Sequence, residues 1–252
     1  MTKIILRGLG ALGSAVCASA QNSPNAEIVC GVDPAANSAG FTFPVCADIC
    51  KCDVKADAVV DCTVAGHVPP VLEYCKKHKL PLIICTTGLS NEVSEMVKAA
   101  SAETAVLQSA NMSLGINLLA DLVRRASEIL SDSMFDIEII EKHHNKKIDA
   151  PSGTALMLAD AVNVGNKYEY VYNRSKVRQK RKSNEIGIHA LRGGSIVGEH
   201  SVIFAGNGEV IEFKHSALSK EVFAAGVLKA ASYIKNKPPG LYTMQNIIDE
   251  VV

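Results

Sequence analysis

No excess of either charge marks this chain, in which 26 lysines and arginines face 26 aspartates and glutamates over 252 residues. That balance excludes a global field drawing the protein onto nucleic acid or an anionic membrane, so any anionic ligand has to be recognised locally. A run of about 18 apolar residues is also missing, which excludes a helix of membrane-spanning type. Met1 to Leu6 passes straight into a strand pattern without a charged and then apolar leader, and the expectation is a soluble, cytoplasmic protein. Cysteine is absent after Cys85, which leaves the later part of the chain without a thiol nucleophile. The eight cysteines before that point lie mostly among Val, Ile and Ala and read as reduced, small core residues. Cys46, Cys50 and Cys52 form a tight cluster but lack a second Cys/His pair at zinc spacing, so no metal is expected.

What is present is an alternation of strand and helix signals. Ile4 to Leu6, Ile28 to Val32, Ala58 to Asp61, Leu82 to Ile84 and Ala105 to Leu107 are short apolar runs of the kind that buried parallel strands show. Helical patterns at Val71 to Lys77 and Glu92 to Ala100 lie between them, the second capped by Ser90 or Asn91. The fold class is therefore α/β, a Rossmann-type doubly wound parallel sheet. A long helical segment carrying Leu118, Leu119, Leu122, Val123 and Ile129 follows. After it, alternating stretches from Phe135 to Ile139 and from Ile186 to Phe213 predict a second, α+β domain on an open mixed sheet. A helix from about Ser219 to Lys235 is expected to return to the first domain, with Pro238-Pro239-Gly240 breaking it before a short tail. The expected boundaries are 1–114 with 217–252 for a dinucleotide-binding domain and 115–216 for a substrate-binding domain.

Gly8-Leu9-Gly10-Ala11-Leu12-Gly13 follows the first strand and opens a helix, the context in which glycines let a backbone approach a pyrophosphate. Asp33, at the end of the second strand, is placed to accept hydrogen bonds from a ribose diol. Because a carboxylate repels a 2′-phosphate and Pro34 follows instead of an arginine, NADH is expected in preference to NADPH. Two further strand ends, Cys85-Thr86-Thr87-Gly88 and Ser109-Ala110-Asn111-Met112, carry small polar residues suited to line the nicotinamide and ribose.

The densest chemistry lies between Glu138 and Ala155. His143 and His144 end an alternating strand, Lys147 adds a positive charge, and Pro151-Ser152-Gly153-Thr154 begins a helix whose free N–H groups suit an anion. An imidazole is well matched to proton transfer near neutral pH. The pattern suggests a small anionic substrate held by Lys147 and the Gly153/Thr154 turn, receiving hydride from a nicotinamide and a proton from a histidine. A non-catalytic nucleotide sensor would need neither His143 nor Lys147. Arg174, Lys176, Arg178, Lys180, Arg181 and Lys182 form a basic run without interleaved aromatics, which reads as a mobile, solvated loop and not as a nucleic-acid site.

The stretch from His143 to Ala155 resembles the signature of the dihydrodipicolinate reductases. The similarity extends through Thr86-Thr87-Gly88, Ser109 to Gly115, Arg192-Gly193-Gly194, Gly198-Glu199-His200 and Phe223 to Gly226. The resemblance implies NAD(P)H-dependent reduction of dihydrodipicolinate to tetrahydrodipicolinate in the diaminopimelate route to lysine. It implies His143 as proton donor or acceptor and Lys147 as a second donor. It gives His144 as a substrate contact, with Ser152, Gly153 and Thr154 at a substrate carboxylate. It also implies a homotetramer assembled through the sheets of the substrate domains. The chain departs from the pattern at its glycine loop, which in the family is usually one residue longer and carries a basic residue where Ala11-Leu12-Gly13 stands here. That difference too favours NADH.

Overall fold

The computed structural model describes residues 1–35, 40–130, 135–172, 174–176 and 178–250. The chain divides into two compact units, Met1–Leu114 with Lys220–Val252, and Gly115–Ser219. The return to the first unit falls at Lys220 and not at 217, because the strand Val210–Ala217 belongs to the second sheet.

The first unit is built on β1 (Thr2–Arg7), β2 (Ala26–Val32), β3 (Val45–Cys46), β4 (Ala58–Asp61), β5 (Leu82–Ile84), β6 (Ala105–Gln108) and β12 (Gly240–Tyr242). Every pairing is parallel and the order is β12-β6-β5-β4-β1-β2-β3. The apolar runs are continuous because both faces of the sheet are covered. Ile4 and Leu6 enter one core with residues of α1 (Ala11–Gln21) and α6 (Glu221–Ile234), while Ile5 enters the other with residues of α2 (Val68–His78) and α3 (Asn91–Ser101). Each such fully buried aliphatic side chain contributes about 1.5–3 kcal/mol. The order of β1 and β4 reverses the direction in which the sheet is laid down, and the carboxyl ends of these strands form the crevice of such folds.

Two details differ from the sequence expectation, and one of its open alternatives is decided. Helix α2 starts at Val68, before Val71, because Pro69 and Pro70 fall in its first turn, where an N–H would have no partner. The chain beyond Pro239 is not a plain tail. Gly240–Tyr242 adds β12 beside β6, and Thr243 and Asn246 form a capping box on α7 (Met244–Asp249). Ser90, and not Asn91, caps α3 by accepting the Val93 N–H.

The second unit is a mixed five-stranded sheet in the order β11-β10-β7-β9-β8. Its strands are β7 (Asp136–His143), β8 (Glu169–Tyr172), β9 (Glu185–Arg192), β10 (Gly198–Ala205) and β11 (Val210–Ala217). β7 is parallel to β9 and antiparallel to β10. Along β7 the period of two sends Ile137, Ile139, Glu141 and His143 to the buried face. That face packs against α4 (Leu114–Leu130) and α5 (Gly153–Val162) through Ile116, Leu119, Val123, Leu158, Ala159 and Val162. The polar pair at the end of the strand is thus carried on the same side as the core.

The basic segment is not simply solvated. The Arg181 guanidinium donates to the Glu138 and Asp136 carboxylates at 3.0 and 2.7 Å and to the carbonyls of Ile137 and Glu185, and Arg174 pairs with Glu185. These arginines tie the segment to the start of β7 and β9. Residue 177 of the segment lies outside the described residues.

Candidate active site

In the first unit the three glycines have three different physical jobs. Gly8 has φ +85°, and a Cβ on it would come within 2.8 Å of the Cys62 carbonyl oxygen, so only glycine fits the turn after β1. A Cβ on Gly13 would overlap the Gly8 carbonyl oxygen, which sets how closely α1 approaches the turn. Gly10, the residue before α1, faces open space. Tight turn, open approach and close helix packing are the three glycine roles of a dinucleotide loop. Ala11 and Leu12 begin the helix, and Leu12 packs on the core.

A cavity of about 630 Å³ opens at the carboxyl ends of β1, β2 and β4, lined by Gly8, Gly10, Asp33, Ile49, Thr63 and His67 among others. That volume suits a small-molecule ligand. Asp33 accepts the Leu9 N–H through Oδ2 at 2.8 Å and the Ala35 N–H through Oδ1 at 2.9 Å, so the carboxylate holds the glycine loop. Each oxygen retains a further lone pair for a hydroxyl.

Arg7 also lines this cavity, brought in from β1 although Pro34 and its neighbours supply no arginine. Its Nη1 donates to Asp61 Oδ1 at 2.7 Å and to the His67 carbonyl at 2.7 Å. Thr86 Oγ donates to the same buried Asp61 carboxylate at 2.8 Å. Thr86 therefore locks the end of β5 to β4, while Thr87 beside it is exposed. Ser109 Oγ donates to the Asn111 carbonyl at 2.7 Å, and Asn111 Oδ1 accepts the Ser113 N–H at 2.9 Å, shaping the loop after β6. Ala110 is exposed, whereas the Met112 side chain is buried in the core. Cys85 is no nucleophile, because its hydrogen bond with Cys62 and its burial push the thiol well above its usual pKa.

In the second unit the strand ends at His143, so His144 does not take the opposite face of β7 but opens the following turn, with its Nδ1 buried and unpartnered among the described residues. His143 is buried, and its Nδ1 lies 2.6 Å from Glu141 Oε2. The two residues meet because they are two apart on one strand. Glu141 also accepts Nη1 and Nη2 of Arg192 at 2.8 and 2.7 Å and the Ser152 N–H at 2.9 Å. Burial alone would raise the Glu141 pKa, but the hydrogen bonds from His143, Arg192 and Ser152 overrule it and hold it at about 2.

Ser152 caps α5 by accepting the Ala155 N–H at 3.2 Å, and its Oγ lies 3.1 Å from Nε2 of His200. Gly153 opens the helix toward free space, and Thr154 is buried beside it. Burial, and next the neighbouring His143, push His200 down to about 3, so it is neutral at physiological pH. Lys147, on the turn after β7, pairs with Asp149 at 2.9 Å. The structure thus gathers His143, Ser152, Gly153 and Thr154 with Lys147 and His144 on the adjoining turn. It adds Glu141, Arg192 and His200, to which the sequence patterns assigned no definite role. The signal for Glu141 was its i, i+2 spacing from His143; Arg192 and His200 arrive through strand pairing, His143 with Arg192 and Glu141 with His200.

His200 and Glu141 both set a pH dependence of stability. His200 has a lowered folded pKa, so the unfolded chain binds more protons from pH 6.5 down to about 3. Glu141 acts in the same direction from 4.5 down to about 2. Stability is therefore full above pH 6.5 and falls with acidification, His200 acting first. The urea midpoint is expected to drop between pH 7 and pH 5, and the drop to shrink in His200→Gln; an equal drop in that variant would remove His200 from the cause.

A parallel sheet in Rossmann order with a glycine cradle, and a carboxylate-held imidazole at a helix start, define the class as an oxidoreductase whose first unit supports use of NADH or NADPH. Profiles of two halves of one family match nearly all of the chain, "Dihydrodipicolinate reductase, N-terminus" over residues 2–112 and "Dihydrodipicolinate reductase, C-terminus" over residues 115–248. The chain belongs to the dihydrodipicolinate reductase family. It is 49% identical over 251 residues to the 4-hydroxy-tetrahydrodipicolinate reductase of Caldanaerobacter subterraneus subsp. tengcongensis, with 98% of each chain covered. To that of Clostridium novyi it is 47% identical over 250 residues, again with 98% of each covered. The solved structure of a dipicolinate-bound dihydrodipicolinate reductase from Paenisporosarcina sp. TG-14 has the same fold, with a TM-score of 0.76 at 22% identity, covering 98% of this chain and 99% of that one. Among the described residues, no helix is long and apolar enough to cross a membrane.

Proposed function

We propose that this protein reduces 4-hydroxy-tetrahydrodipicolinate, or its dehydrated form dihydrodipicolinate, to tetrahydrodipicolinate in the diaminopimelate route to lysine. The observation that carries the reading is His143, buried, held by a carboxylate at Nδ1 and adjoining the capped start of α5. The nucleotide, when bound, supplies a hydride. Gly8 and Gly10 leave its pyrophosphate room at the start of α1, and Asp33 accepts from a ribose hydroxyl. Cys85, Thr86, Thr87 and the Ser109 to Met112 loop edge the nicotinamide side.

In the second unit, the start of α5 at Ser152, Gly153 and Thr154 and the ammonium of Lys147 hold a substrate carboxylate. The buried, unpartnered Nδ1 of His144 offers a further polar contact. His143 gives up a proton as the hydride arrives, with Lys147 as a second donor. Hydride plus proton saturate one double bond, and the hydroxylated form of the substrate also loses water. Ile140 and Ile203 leave half-buried apolar side chains on the face of the second sheet opposite its helix-covered core, which supports use of that face in assembling a homotetramer.

NADH is the preferred donor, because the Asp33 carboxylate lines the cavity while the Arg7 charge is committed to Asp61. Steady-state kinetics with dihydrodipicolinate generated in a coupled assay should give kcat/KM higher for NADH than for NADPH. Asp33→Asn should narrow the gap by about tenfold or more, one lost charge repulsion being worth roughly 1.4 kcal/mol. Tighter use of NADPH by the parent protein would overturn the preference.

A further inference from the structure

We infer that Glu141 is the positioning residue of the proton-transfer group, holding His143 by Nδ1 so that Nε2 is the nitrogen that exchanges a proton. The inference rests on the proposed role of His143. Glu141 is fully buried, and an uncompensated carboxylate there would be costly. Four hydrogen bonds converge on it instead, from His143 Nδ1, both terminal nitrogens of Arg192 and the Ser152 N–H. Those donors keep it ionised throughout the physiological range.

An anionic acceptor 2.6 Å from Nδ1 requires the proton of the neutral ring to sit on Nδ1. Nε2 then carries the lone pair. A Cβ at Gly198 would lie 3.2 Å from that atom, so the glycine leaves Nε2 clear on this side. When Nε2 takes up a proton, Glu141 stabilises the resulting imidazolium, and when Nε2 gives the proton to substrate the ring returns to the Nδ1–H form.

Two further contacts fit this role. The other Glu141 oxygen binds the amide of Ser152, so one carboxylate sets both the imidazole and the first residue before α5. The second imidazole, His200, stands edge-on to His143 with ring centroids 5.1 Å apart. Held neutral beside Ser152, it adds no charge to compete with His143 for the proton. Arg192 balances Glu141 while its Nη2 also donates to the Asp149 carbonyl at 2.6 Å, tying the carboxylate to the turn that carries Lys147.

The test joins a double-mutant cycle to nitrogen NMR of histidine-labelled protein. In the parent protein the neutral ring of His143 should show the Nδ1–H tautomer; a predominant Nε2–H tautomer would overturn the proposal without any variant. Glu141→Gln should lower kcat by about 10²-fold or more, as loss of an orienting carboxylate does, with KM for NADH unchanged. The same substitution in a His143→Ala background should cost almost nothing, because the two act as a unit. Equal losses in both backgrounds would show a structural role and defeat the inference. A parent protein inactive on dihydrodipicolinate would instead defeat the proposed reaction, and the tautomer measurement would still decide the position of Glu141.

Discussion

His143→Ala is expected to lower kcat by about 10²–10⁴-fold, the usual contribution of a positioned proton donor, while the affinity for NADH stays within twofold. The separation follows from architecture. His143 ends β7 in the second unit, whereas the glycine cradle and Asp33 belong to the first. Neither neighbouring imidazole is equipped to take over: His200 is held neutral with Nε2 on Ser152, and His144 lies on the turn beyond the strand. Lys147→Ala should lower kcat as well and also raise the KM for the dicarboxylate, since in the proposed reaction its ammonium both binds and donates. The check is single-turnover and steady-state kinetics beside nucleotide binding followed by NADH fluorescence. Parent-like turnover in His143→Ala would remove the imidazole from the chemistry.

Gly13→Ala should abolish productive nucleotide binding through a single methyl group. The new Cβ would overlap the Gly8 carbonyl oxygen, so α1 has to move away from the turn that it packs against. The displaced element is the one whose first N–H groups would face a bound pyrophosphate under the proposed function. Overpacking of this kind costs about 1–3 kcal/mol of stability, and the loss of the cradle should raise the Kd for NADH at least a hundredfold. Gly10→Ala is the matched control for bulk alone, because a Cβ there meets nothing within 4 Å in the protein. It should leave stability near the parent value and weaken only binding. Equal and small effects of both substitutions on NADH affinity would show that this loop does not hold the nucleotide.

Much of this site was legible because it is local. Gly8 to Gly13 lies between a strand and a helix, and Ser152 to Thr154 begins a helix, so short-range pattern was enough for both. β4 and β5 were readable to the residue because burial on both faces makes them continuous apolar runs. What escaped is non-local or too short. Three residues after two prolines gave no periodicity, yet Gly240–Tyr242 completes the sheet by pairing with β6.

The partners of His143 illustrate the same limit. Glu141 stood two residues away and could be placed on its face from the pleat alone. Arg192 and His200 could not be assigned to it, because only the register of β7 against β9 and β10 brings them there. Arg7 entered the nucleotide cavity in the same way, through the pairing of β1 with β4 that sets it against Asp61. The basic segment misled for a related reason. Its charge run suggested solvation, while Asp136 and Glu138 supplied carboxylates from a strand distant in sequence and Glu185 one from the strand that follows the run.

The most direct measurement is the oxidation of NADH by the purified protein with and without dihydrodipicolinate formed in situ. Oxidation that begins only when the substrate is supplied, and that yields tetrahydrodipicolinate in equal amount, is the predicted result. No substrate-dependent oxidation of either NADH or NADPH would contradict it.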